Sequence, residues 1–237
     1  MRPIYFTSFV TAAGALVAVL LAGCEGRYSI AGTPAASGPA SANSVMRVNA
    51  ISAEPPDIIL KAGSSIGVNT FPDGDTLSGG QGQKIDFKLE CHANMSEVYH
   101  IHAHLSIFDA LGSQIMVPWG VGIVQPYTFD NDNDEIRTGT CFYNLHTHDR
   151  SGIIHDEASK NLNLTLGNFF DIWGMPLSMT NVAGYAGTVW VKIITPQGER
   201  PWSDTIDPRT LVLTEHEQIT LSVGQKVTPV PEYKFTF

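Results

Sequence analysis

The sequence predicts a mainly β protein: an antiparallel β-sandwich or barrel-like domain with one short helix, preceded by a lipoprotein signal and a flexible tether. Apolar and polar side chains alternate with period two in short runs at 84–89, 99–107, 161–166, 188–194 and 219–223. Turn residues separate these runs at 72–75, 109–112, 150–152 and 196–198. Short alternating strands with regular turns are typical of antiparallel β domains.

Residues 1–23 are predicted to form a lipoprotein signal peptide. Arg2 precedes an apolar run from Phe6 to Leu21, which ends in Leu-Ala-Gly-Cys at 21–24. A short apolar run closed by small residues is typical of an export signal rather than a spanning helix. The ending resembles the lipobox of bacterial lipoproteins, which implies acylation of Cys24. An ordinary signal peptide with a coincidental cysteine is the alternative.

Residues 24–50 are predicted to be the lipidated cysteine and a flexible linker, because they are rich in Ala, Gly, Ser and Pro. Residues 51–237 are predicted to form a single β-rich domain that contains the histidine cluster. The resulting expectation is an exported protein held by its lipid at the cell envelope, on the periplasmic face or the cell surface.

The one predicted helix is short. Asn168 is expected to cap residues 169–173, with Gly174 ending the helix and Pro176 just beyond it.

The composition excludes two classes of protein. The chain has 14 Lys and Arg against 23 Asp and Glu, a formal net charge of −9. A nucleic-acid-binding protein needs a basic face, so no nucleic-acid partner is expected. Hydrophobic residues make up 43% and charged residues 16% of the chain, which is too apolar for a disordered protein.

Two cysteines remain besides Cys24. In an oxidising compartment Cys91 and Cys141 are expected to form a disulfide. The alternative is that both are thiolate metal ligands, although neither belongs to a CxxC pair.

Seven of the eight histidines lie between His92 and His155. Because successive side chains of a strand point to opposite faces, His100, His102 and His104 would share one face of a strand. Neighbouring histidines on that face are about 7 Å apart at Cα, so both reach one ion. We expect His102 and His104 to be ligands and His100 to be a spectator.

The second histidine cluster lies on a predicted hairpin. A two-residue tip at 150–151 pairs His146 with His155 and places Glu157 opposite Asn144. Cross-strand partners share a face, so His148 would point the same way as this pair and Glu157. The two clusters together predict a metal site with these ligands: His102, His104, His146, His148, His155 and Glu157.

Copper or zinc is the expected cofactor, since imidazole with an optional carboxylate suits such ions. Incidental surface histidines and a pH-responsive cluster are the alternatives. Whether the isolated His92 and His216 take part is left open. Four methionines outside any copper-binding repeat are interpreted as core residues: Met95, Met116, Met175 and Met179. The acidic run 130–135 lacks the glycine and glutamate of a calcium loop and is interpreted as a solvated loop.

Four sequence blocks carry a resemblance: YHIHAHL at 99–105, CFYNLHTHD at 141–149, GIIHDE at 152–157 and LGNFFDIWG at 166–174. Over roughly residues 85–225 the chain resembles a family of uncharacterised exported bacterial proteins. The resemblance implies that this order of blocks recurs, and it implies no activity. The acidic run and the long tether look like local additions.

Three functions follow as hypotheses. The first is a membrane-tethered lipoprotein that binds a transition metal for handling or as a structural site. The second is a metalloenzyme in which a metal-activated water works with Glu157 or Asp149 as general base. The third is an envelope interaction module with a structural metal; its protein partner is unknown.

Overall fold

A computed structural model describes residues 57–74, 89–95, 98–130 and 134–236. The predicted signal peptide, Cys24 and the tether lie outside these residues, as do most of the predicted strand at 84–89 and residues 131–133 of the acidic run. In the described part of the chain, no helix has the length and apolar character needed to cross a membrane.

The described residues form short strands and little helix. In chain order the strands are β1 (Asp57–Leu60), β2 (Cys91–His92), β3 (Tyr99–Phe108), β4 (Gln114–Ile115), β5 (Ile123–Val124), β6 (Thr128–Asp130), β7 (Glu135–Thr138), β8 (Cys141–Tyr143), β9 (Leu145–His146), β10 (Ile153–Ala158), β11 (Leu177–Ser178), β12 (Asn181–Val182), β13 (Tyr185–Ala186), β14 (Val189–Thr195), β15 (Gly198–Ser203), β16 (Gln218–Val223) and β17 (Glu232–Phe235). The helices are α1 (Leu166–Trp173) and a 3-10 turn at Pro208–Thr210.

The largest sheet has the strand order β15-β14-β16-β3-β10-β9, with β4 paired to the end of β3. Smaller sheets are formed by β1-β17, β11-β12-β13, β2-β8-β5 and β6-β7. The prediction of a mainly β fold with one short helix is confirmed, in the form of several open sheets. Most pairs are antiparallel, but β16–β3 and β1–β17 are parallel, which period-two patterning does not distinguish.

The main core lies on one face of the largest sheet. Alternate residues of its central strands are buried there, as period two requires: Ala103, Leu105 and Ile107 on β3, Val189, Val191 and Ile193 on β14, and Ile219, Leu221 and Val223 on β16. Helix α1 packs into the same core through Phe169, Phe170 and Ile172. Each such side chain contributes about 1.5–3 kcal/mol when fully buried, so this core stabilises the fold without a metal.

Helix α1 begins three residues earlier than the sequence predicted. Thr165, not Asn168, is the N-cap: its hydroxyl accepts from the Asn168 backbone N–H at 3.2 Å, while the Asn168 side chain accepts from the Thr165 N–H at 3.0 Å. This reciprocal pair is a capping box, so the predicted strand at 161–166 is wrong. Gly174 ends the helix in the left-handed conformation, φ 76°, as predicted.

A disulfide joins β2 to β8. The predicted bond between Cys91 and Cys141 is present, with Cα atoms 5.4 Å apart. The bond excludes the alternative that both cysteines are thiolate ligands. The bond also links β8 covalently to β2. In the chain β8 is followed directly by β9, the strand that carries His146.

The second face of the largest sheet is covered in part by the β1-β17 pair. Tyr233 of β17 is buried with Leu60 of β1 and Ile153 of β10 in a small separate core. Ile153, His155 and Glu157 alternate along β10 and therefore share this second face. The part of the face beyond Ile153 carries the histidines.

Candidate metal centre

Strand β10 lies between β3 and β9, and its pairing brings the histidines together. His155 is the cross-strand partner of His146 on β9 and of His102 on β3. Glu157 is opposite His100. Because cross-strand partners share a face, three strands direct imidazoles at one region.

The predicted hairpin register is confirmed, but the predicted tip is wrong. His146 pairs with His155, and the Glu157 N–H donates to the Asn144 carbonyl at 2.8 Å. Pairing between β9 and β10 ends at His146, and residues 147–152 form a wider loop. Asp149 shapes this loop by accepting from the backbone N–H groups of Ser151 and Gly63, both at 2.9 Å.

His148 lies in this loop rather than on a strand. Its backbone carbonyl accepts from the Ile136 N–H at 2.9 Å, which anchors the loop to β7. The backbone carbonyl of the preceding residue, Thr147, accepts from the Gly120 N–H at 2.9 Å, and the Thr147 N–H donates to the Val121 carbonyl at 3.0 Å. Thus His148 faces the site because neighbouring segments hold its backbone.

Four predicted ligands meet in what we call the primary cluster: His146, His148, His155 and Glu157. One ligand atom from each lies within 4.8 Å of all the others. The Nε2 atoms of His146 and His148 are 3.1 Å apart, and Glu157 Oε1 is 3.7 Å from His146 Nε2. Ligand atoms about 2.0–2.1 Å from a tetrahedral ion lie about 3.3 Å from one another, so these spacings suit one ion.

Two rings of the primary cluster are oriented by backbone carbonyls. His146 Nδ1 is 2.9 Å from the Tyr143 carbonyl oxygen, and His148 Nδ1 is 2.5 Å from that of Ile136. A carbonyl only accepts, so each Nδ1 donates, and each neutral ring then presents a lone pair at Nε2. The two lone pairs face each other, an arrangement that a shared cation stabilises. Such carbonyl-oriented histidines are common around metal ions.

Burial keeps these imidazoles neutral. It lowers the pKa of His146 and His155 well below the usual range, and the neighbouring histidines lower both further. Burial is also the main cause of the lowered pKa of His148. The neutral imidazole is the form that can bind a metal ion, so burial favours the state in which these rings could act as ligands.

A second group consists of His100, His102 and His155, whose ligand atoms also lie within 4.8 Å of one another. His100 Nε2 is 3.2 Å from His155 Nδ1 and 3.2 Å from Glu157 Oε1. Burial and then His100 lower the pKa of His102 to about 4. Sequence reasoning set His100 aside, although its cross-strand position opposite Glu157 follows once β3 pairs with β10.

His104 is not brought into either group, which corrects its assignment as a ligand. Its ring is fully buried, stacks on Tyr233 at 3.7 Å, and has Nε2 2.9 Å from the Ser151 carbonyl. Burial lowers its pKa to about 3. The β1-β17 pair covers this end of the face. His104 therefore contributes to packing and hydrogen bonding beneath that pair.

The two isolated histidines lie outside both groups. His92 is near Glu90, with Nε2 3.6 Å from a carboxylate oxygen, and His216 stacks on Phe235 and contacts Glu215 at 2.8 Å. The interpretation of the methionines as core residues is wrong for Met95 and Met179, which are 41% and 39% exposed.

A cavity of about 420 Å³ adjoins both groups. His148, His155 and Glu157 line its floor, and His100, Met95 and Arg137 are among its other lining residues. The primary cluster is therefore accessible from one side. Asp149, the other base considered from sequence, is not part of the cluster, and its carboxylate accepts hydrogen bonds from Ser151 and Gly63 instead.

Comparisons of the chain with protein-family models, curated proteins and solved structures found no match.

Proposed function

We propose that this protein is an exported lipoprotein, tethered through acylated Cys24, that binds a copper or zinc ion in the primary cluster. The observation that carries the proposal is the pair of facing Nε2 atoms, 3.1 Å apart, on two buried rings whose Nδ1 atoms donate to carbonyls. Glu157 adds a carboxylate beside them. Three neutral imidazoles and one carboxylate have a net charge of −1, which attracts a divalent cation and lowers the charge of the occupied site to +1.

The donor set favours a transition metal over calcium or magnesium. Imidazole nitrogen suits zinc and copper, whereas hard cations prefer a shell of oxygen ligands. Copper binds such sites most tightly among the divalent ions of its row. An exported location is consistent with the Cys91–Cys141 disulfide, since disulfides persist in oxidising compartments.

Metal handling is favoured over a purely structural role. The main core lies on the other face of the sheet and contains none of the primary-cluster residues. The cavity gives solvent access to three of the four ligands. A site that is dispensable for the core and open on one side suits reversible binding.

Metal titration of the full chain tests the proposal. The wild-type protein is expected to bind Zn²⁺ in the primary cluster, and His146→Ala/His148→Ala is expected to weaken that binding at least 100-fold, because both facing nitrogens are lost. His216→Ala is the control, expected to bind as the wild type does. Equilibrium dialysis with elemental analysis measures the bound metal, and circular dichroism checks folding. Unchanged metal content in a folded double variant would contradict the proposal.

A metal-dependent hydrolase is the second candidate, and the cavity is the observation that favours it. If the three histidines hold the ion, a water at the open position is acidified and Glu157 accepts its proton. The zinc-loaded protein would then hydrolyse simple ester substrates, and Glu157→Gln would retain the ion while losing activity. Equal hydrolysis by zinc-loaded wild type and His146→Ala/His148→Ala would exclude this candidate.

A further inference from the structure

We propose that the site holds two metal ions, with the second ion bound by His100, His102 and His155 beside the primary cluster. The inference rests on the proposed metal-binding function and extends it. The first ion takes the primary cluster. The second takes His100 and His102, which lie outside that cluster, together with His155, which both groups share. A single ion does not account for five histidines and a carboxylate gathered on three adjacent strands and the loop that follows β9.

The register of β3 against β10 builds the second position. His102 lies directly opposite His155, and His100 lies directly opposite Glu157. Ring centroids of His100 and His102 are 4.5 Å apart, and those of His102 and His155 are 4.6 Å apart. His100 Nε2 and His155 Nδ1, 3.2 Å apart, have the spacing of two ligands on one ion.

Glu157 is placed to join the two ions. Its Oε1 atom is 3.2 Å from His100 Nε2 in the second group and 3.7 Å from His146 Nε2 in the primary cluster. The carboxylate is also buried, with 4% of its side chain exposed. A carboxylate has two oxygens, so Glu157 can give one oxygen to each of two neighbouring ions. The negative charge also reduces the repulsion between the two cations.

His155 belongs to both groups and has two ring nitrogens. Nδ1 faces His100, so the proposal assigns this nitrogen to the second ion. The first ion would then take the other ring nitrogen, so that the ring gives up its N–H proton to solvent and joins the two ions as an imidazolate. His155 is therefore the residue whose loss affects both ions.

The second position is the more accessible one. The His100 side chain is 35% exposed and lines the cavity, whereas His146 is fully buried. An ion held by His100 and His102 is expected to exchange faster than the ion held by His146 and His148. We therefore expect two binding steps of different affinity.

Zn²⁺ titration of the full chain with equilibrium dialysis and elemental analysis tests the proposal. Wild type is expected to bind two ions per chain. His102→Ala is expected to bind one, and so is His100→Ala, a more exposed position that tolerates substitution. His216→Ala, the neighbouring control, is expected to bind two. Loading with Cu²⁺ gives a second readout, because two close copper ions couple and the paramagnetic signal per copper falls.

Each outcome is decisive. One ion in wild type and one in His102→Ala overturns the second position and leaves the primary cluster intact. One ion in wild type and none in His102→Ala means that the groups share a single ion, which also overturns the proposal. No ion in folded wild type overturns the metal-binding function itself.

Discussion

The imidazole of His104 differs from those of the primary cluster and the second group in what surrounds it. It lies between the ring of Tyr233 and the carbonyl of Ser151, in a region closed by β17. Burial lowers its pKa to about 3, so the folded protein holds this side chain neutral across the physiological range. The ring donates a hydrogen bond to the Ser151 carbonyl, and its full burial is what favours the neutral form over the charged one.

Acidification is therefore expected to destabilise the metal-free protein. The unfolded chain protonates His104 below about pH 6.5, whereas the folded chain excludes that proton until the pH approaches 3. The stability lost between pH 7 and pH 5 through this residue is about 2 kcal/mol. The His104→Gln side chain keeps a hydrogen-bond donor but does not titrate. The variant is therefore expected to lose about 2 kcal/mol less stability than the wild type between pH 7 and pH 5. Urea unfolding at both pH values, after chelator treatment, measures the difference. An equal loss in both proteins would show that His104 is not responsible.

The sequence alone did not sort all the histidines correctly. It predicted His104 as a ligand and His100 as a spectator, whereas the structure brings His100 and not His104 into a histidine group. Alternation correctly placed His100, His102 and His104 on one face of β3, because that rule is local. What covers each position is not local. Tyr233, far along the chain, closes the His104 end of the face, while the cavity lies beside His100.

At the level of elements, the pairing of β10 with β3 and β9 brings the residues of the primary cluster and the second group together. The hairpin register was predictable because numbering across a hairpin determines which side chains meet. The shape of the loop between these strands could not be predicted. It depends on hydrogen bonds in which the Asp149 carboxylate accepts from the Gly63 N–H and the Arg150 carbonyl accepts from the Ile66 N–H. Those partners lie in a distant segment of the chain, which no local pattern identifies.

Gly152 holds this loop against β3. It adopts φ 89°, and its carbonyl accepts from the Leu105 N–H at 2.8 Å. A Cβ added here would clash with the Leu105 carbonyl oxygen and lie 3.1 Å from His104 Nε2. The glycine is thus required both by its conformation and by the close approach of the two strands.

Gly152→Ala is expected to reduce the free energy of unfolding by about 2–3 kcal/mol. Gly184→Ala is the matched control, because Gly184 has a similar φ of 97° but an added Cβ there meets no described atom within 4 Å. The control is expected to cost about 1 kcal/mol. Denaturant unfolding compares the two variants, and equal losses would mean that the contact with β3 does not matter.

At the level of the whole molecule, the main core and the histidine groups lie on opposite faces of the largest sheet. The main core with α1 occupies one face, and the other face is shared by the β1-β17 cover and the histidine groups. The mainly β class was predictable from alternation and turns. The parallel pairing of β16 with β3 and of β1 with β17 could not be predicted, because each pair joins segments that are distant in sequence.

The disulfide is expected to be a major source of stability. It closes a separation of 50 residues, for which the chain-entropy relation gives about 4 kcal/mol. Cys91→Ser/Cys141→Ser is expected to lose about this amount in denaturant unfolding. Wild type treated with reductant should behave like the variant. No loss in either case would contradict the expectation.

Anomalous X-ray diffraction from crystals of the zinc-loaded protein shows whether imidazoles of β9, the following loop and β10 surround an ion. A zinc peak is expected within about 2.1 Å of the Nε2 atoms of His146 and His148 and of one ring nitrogen of His155. Zinc peaks found only at exposed positions such as His92 or His216, with none among the buried rings, would rule out this metal site.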